Sequence, residues 1–122
     1  YAYYAVSDMT AGYFILMAVV VSGIYYLGEE FLFRGFLFLG LRRHIGGASY
    51  WVTAIMSMLF HAGKPALETA FIPVLSMILC RVAEKTGSAL VPGLIHYAAA
   101  VIFYAFVSFA RTGVPFETFL HF

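Results

Sequence analysis

The chain has 122 residues; 63% are hydrophobic, only 11% are Asp, Glu, Lys or Arg, and the net charge is +1. A soluble domain carries about 25% charged residues, so a soluble fold of this size could not cover its surface. The near-neutral charge leaves no footprint for nucleic acid, and a single cysteine, Cys80, excludes an internal disulfide and a cysteine-based zinc site.

Together with a mean hydropathy of +0.91, these features predict an all-α fold: a polytopic membrane bundle with a four-helix core around a polar cavity. One domain over residues 1–122 is expected. Because the chain opens on Tyr1, it reads as an excerpt of a longer protein. A spanning helix needs about 20 apolar residues, and four stretches are candidates.

The first is expected from Thr10 to Arg42, ending in "LRRHIGG", with basic residues in the last turn and glycines suited to a stop. The second, Ser49 to Ala62, is short and stops at "HAGKP". The third, Pro65 to Glu84, carries Pro73 inside it and is expected to kink there. A polar turn, "EKTGS", follows, with Ser88 as N-cap. The fourth runs from Ala89 to Ala110 with Pro92 in its first turn, and the tail after it is amphiphilic. Arg42, Arg43, Arg81 and Lys85 fall on one side, which the positive-inside rule assigns to the cytoplasm.

Five ionisable residues lie well inside these apolar stretches, Glu29, Glu30, Arg34, His61 and His96, while Glu68 and the remaining basic residues fall near the expected ends. Such residues are costly in lipid and mark functional sites by default. Counted from the cytoplasmic ends, Glu29, His61 and His96 sit at comparable depths, roughly 14–20 Å. Glu30 and Arg34 are spaced i, i+4 with the acid first, the favourable order for a helix ion pair. Glu29 points about 100° away, with no partner on its own helix, and is left for chemistry as a general base. Taken singly, His61 reads as a helix-end histidine bonded to a carbonyl, and His96 as a satisfied core histidine. Taken together with Glu29, they can hold a water between them or bind zinc as a His₂Glu site. Either arrangement activates water.

These residues resemble the CPBP intramembrane proteases, the family of type II CAAX prenyl endopeptidases and of bacteriocin-processing or self-immunity (Abi) proteins. The family's EExxxR motif reads here as "EEFLFR", its second-motif histidine as His61 in "MSMLFHAGKP", and its third as His96 in "TGSALVPGLIHYAAA". The order and spacing agree from about residue 10 to 110.

The resemblance implies an integral-membrane endopeptidase acting on a peptide or protein substrate within the lipid bilayer. Glu29 would be the base, with His61 orienting it. Glu30 and Arg34 would lock the helix or hold the substrate end, and His96 would face the oxyanion. The family has been read both as zinc-dependent, with Glu29, His61 and His96 as ligands, and as metal-free; both schemes stay open here.

Two positions depart from the family pattern. Ser57 stands where a phenylalanine is usual, and is expected to alter packing more than chemistry. Ala100 stands where a polar partner of the oxyanion histidine is usual. Ala100 keeps a non-catalytic self-immunity or partner-binding protein as the alternative, with a small transporter or proton relay as a second. Compactness suggests a bacterial cell membrane, and peptide or surface-protein maturation rather than CAAX processing.

Overall fold

The computed structural model describes residues 15–64 and 66–112; Thr10, Pro65 and the expected amphiphilic tail beyond 112 lie outside the described residues. The described chain is helical and forms four rods, α1 (residues 15–45), α2 (Ala48–Phe60), α3 (Ala66–Thr86) and α4 (Leu90–Thr112).

Winding alternates along α1: π over Ile15–Val21, α over Ser22–Glu30, π over Phe31–Phe38 and α over Leu39–Ile45. A π turn closes its hydrogen bonds one residue later than an α turn and recurs at functional sites. The Ser22 hydroxyl donates to the carbonyl of Met17 five residues back, at 2.9 Å. The change of winding falls directly after Glu30, and it leaves Glu30, Arg34 and Phe38 on one buried stripe.

The helix ends follow local chemistry. Gly46, at φ +55°, closes α1 in a backbone region that disfavours side chains. Gly87, at φ +63°, does the same after α3. The Ser88 hydroxyl accepts the Leu90 N–H at 3.1 Å, capping α4 as expected. All four rods overlap their expected ranges; α1 runs three residues past Arg42, and α3 two past Glu84.

At this end Glu84 gathers three helices. It accepts the Tyr50 hydroxyl at 2.6 Å, Arg81 Nη1 at 2.8 Å and the Nε of Arg42. The Tyr50 hydroxyl and then the Arg42 guanidinium hold its carboxyl at about 2, well below the usual carboxylate range. Phe38, Cys80 and Ala83 form a small apolar cluster close by, with Leu39 and Tyr50 against it.

Polarity is distributed inside out. Ser22, Glu29, Glu30, Arg34, Ser49, Thr53, Ser57, His61 and Ser76 are buried, while Ile24, Phe31, Phe36, Trp51, Phe71 and Ile102 are exposed. Among the described residues no helix is long and apolar enough to cross a membrane. Each α-wound piece of α1 has 7 or 9 residues, and α2 has 13. The all-helical part of the expected fold is present in these helices, and they do not by themselves show its membrane-spanning part.

Candidate active site

Glu29 and Glu30 are neighbours on α1, so their side chains leave the helix about 100° apart and meet different partners. Glu29 faces α2: its Oε1 lies 3.7 Å from His61 Nε2, and its Oε2 is buried without a hydrogen-bond partner. Glu30 faces α4. Its Oε1 accepts both Arg34 Nη1 at 2.9 Å and His96 Nδ1 at 2.7 Å. The expected Glu30–Arg34 pair is thus present and fully interior, with side-chain exposures of 0% and 3%. It also takes in His96, which depth counting had placed with Glu29. The rotational phase of α4, not depth, decides between adjacent glutamates.

Tautomers follow from the partners. Ser57 O can only accept, and it lies 2.8 Å from His61 Nδ1, so Nδ1 carries the proton and Nε2 is turned toward Glu29. His61 thereby satisfies both expectations: it is a helix-end histidine bonded to a carbonyl, and it also faces a buried carboxylate. His96 in turn donates its Nδ1–H to Glu30 and stacks at a tilt on Tyr26, with ring centroids 4.6 Å apart. Its Nε2 is left for a further partner. Tyr97, next along α4, sends its hydroxyl to Val19 O at 2.9 Å and packs over Gly23, so it docks α4 on α1.

Two glycines allow this close approach. A Cβ on Gly93 would lie 3.0 Å from Leu27 Cδ2 and 3.5 Å from Glu30 Cβ, while one on Gly35 would lie 3.1 Å from Ala89 Cβ.

Sequence reading missed the inner stripe of α2. Ser49, Thr53, Ser57 and His61 recur every fourth residue, and all are 3% exposed or less. That period was present in "SYWVTAIMSMLFH" and was the available signal. Ser57 meets Ser76 of α3, whose hydroxyl donates to it at 3.2 Å.

Among the described residues, no three His, Cys, Asp or Glu side chains lie close enough to hold a metal ion. Glu29, Glu30, His61 and His96 fall into two pairs, Glu29 with His61 and Glu30 with His96, and Glu29, His61 and His96 do not meet as a His₂Glu set.

The arrangement could serve acid–base chemistry: a buried carboxylate beside a histidine of fixed tautomer, and a second histidine on the carboxylate that pairs with Arg34. A family model described as Type II CAAX prenyl endopeptidase Rce1-like matches residues 11–110. That span holds all five residues of the two pairs and the Arg34 ion pair. No curated protein matches the chain, and no solved structure does.

Proposed function

Since the chain belongs to the Rce1-like family of type II CAAX prenyl endopeptidases, a family of integral-membrane proteases, we propose that it hydrolyses a peptide bond at the membrane by glutamate-activated water. The observation that carries the reading is the setting of Glu29: buried, 3.7 Å from His61 Nε2, with one oxygen unpartnered. Burial of polar groups under an apolar exterior supports placement in a bilayer.

A water touching Glu29 and His61 attacks the scissile carbonyl carbon. Its proton passes to Glu29, and the carbonyl π electrons move onto oxygen. His96 faces that oxygen. Held at Nδ1 by Glu30, His96 turns its Nε2 toward the oxyanion and, when protonated there, donates to it. Collapse re-forms the carbonyl, breaks the C–N bond, and Glu29 returns its proton to the leaving amine. Arg34 holds the same Glu30 oxygen and keeps that carboxylate in place throughout. No step here uses a metal.

The Rce1-like match favours the C-terminal tail of a lipid-anchored protein over the peptide or surface-protein maturation expected from compactness, so a prenylated peptide is the first probe. Purified protein in nanodiscs is expected to cleave it, and Glu29→Gln, His61→Ala and His96→Ala are each expected to abolish cleavage while the protein still inserts. Retained cleavage in Glu29→Gln would sink the assignment. Binding without cleavage by the unaltered protein would return the chain to the partner-binding alternative.

A further inference from the structure

The third rod, α3, supplies none of the five motif residues, yet a hydroxyl from it reaches the turn that holds His61. His61 sits at the end of α2, just outside helical geometry at φ −91°, ψ 10°. The carbonyl of Ser57 receives both the His61 backbone N–H, at 3.2 Å, and the ring Nδ1–H, at 2.8 Å. The orientation of that one peptide therefore sets the tautomer and direction of the ring. The last turn of a helix frays unless something ties it down. Two hydroxyls of α3 reach this turn: Thr69 donates to the His61 carbonyl at 3.4 Å, and Ser76 Oγ bonds Ser57 Oγ at 3.2 Å, between two side chains that are each 1% exposed.

We propose that Ser76 is a positioning residue for His61: through the Ser57 hydroxyl it clamps the end of α2 to α3 and fixes Nε2 toward Glu29. Its kinetic consequence rests on the reading of Glu29 and His61 given above; its structural consequence does not. Ser57, expected to alter packing more than chemistry, then also bears on the site through His61. At this position the chain has a hydroxyl, and α3 carries its complement. Cys80, one turn beyond Ser76 on the same buried face, lies against Arg34. The same face of α3 thus touches both halves of the site.

The test uses the full chain with ¹⁵N-labelled histidine, in nanodiscs, and reads the His61 ring directly. The unaltered protein is expected to show a single Nδ1–H tautomer. Ser76→Ala is expected to give a mixture, and Ser76→Thr, which keeps the hydroxyl, to restore the single form. In cleavage assays Ser76→Ala is expected to lower kcat roughly 10-fold with KM unchanged, since small misplacements of a catalytic group are costly, and Ser76→Thr to recover it. Ser57→Ala combined with Ser76→Ala should fall no further than either alone. An unchanged tautomer in Ser76→Ala overturns the proposal. So does failure of Ser76→Thr to restore it. A shifted tautomer in a chain that cleaves nothing even when unaltered upholds the clamp and overturns the protease reading.

Discussion

His96 Nδ1 lies 2.7 Å from Glu30 Oε1, on the same oxygen that accepts Arg34 Nη1. A carboxylate holding both an arginine and a histidine in the interior is the junction of α1 and α4. Its role differs from that of Glu29, which has His61 and an unpartnered oxygen. The adjacent glutamates therefore divide into one bonded to both Arg34 and His96 and one with an unpartnered oxygen.

That division predicts opposite phenotypes for two isosteric changes. Glu30→Gln leaves Arg34 charged and buried without its counter-ion, and removing one partner of such a pair costs about 3–5 kcal/mol. Its unfolding in detergent is expected at markedly lower temperature or denaturant. Glu29→Gln breaks no ion pair within hydrogen-bond reach and is expected to unfold within about 1 kcal/mol of the unaltered protein. Equal destabilisation by the two changes would refute the division.

The two close glycines should also behave differently. Replacing a helical glycine by alanine gains about 1 kcal/mol in propensity, while overpacking costs about 1–3 kcal/mol. At Gly93 the new Cβ meets the terminal methyl of Leu27, which can turn aside. Gly93→Ala is expected to be near neutral. At Gly35 it meets Ala89 Cβ at 3.1 Å, an atom fixed to the backbone. Gly35→Ala is expected to cost about 1 kcal/mol net, by thermal unfolding. A stabilised Gly35→Ala would show that α4 moves away freely.

Helix ends were legible because each has a local cause: Gly46, Gly87 and Ser88 act within their own turn. The i, i+4 pair of Glu30 and Arg34 was legible for the same reason. Three features were not. The π winding of Phe31–Phe38 is a hydrogen-bond register, and hydropathy does not encode it. The pairing of His96 with Glu30 depends on how α4 is rotated against α1, which no local pattern encodes. The Ser57–Ser76 bond joins residues 19 apart, each of which alone looks like small-residue filler.

Glu84 predicts an acid-sensitive end to the bundle. It lies at the polar end of α3 with Arg42, Arg81 and Tyr50, and its carboxyl titrates at about 2 against an ordinary 4.5. A carboxylate whose folded value is depressed contributes stability that is fully present above the unfolded value and is lost as pH falls through the folded one. The contribution is therefore whole at pH 6 and disappears between about 4.5 and 2. Thermal unfolding followed across that window should fall more steeply for the unaltered protein than for Glu84→Gln. Parallel curves would mean that the Glu84 cluster does not tie the three helices.

Ala100 predicts a gain of function. It sits one turn after His96 on α4, half-buried, and can donate no hydrogen bond. The family resemblance places a polar side chain there to share the oxyanion with the histidine. Loss of one oxyanion donor typically costs about 10²–10³ in rate, so a chain relying on His96 alone works below its ceiling. Ala100→Asn is expected to raise kcat by roughly 10-fold or more with little change in KM, because the added donor acts on charge that exists only in the transition state. The gain should vanish in the Glu29→Gln background, where no water is activated. An Ala100→Asn protein that folds normally and cleaves no faster would show that His96, held by Glu30, already supplies all the stabilisation that the oxyanion receives from α4.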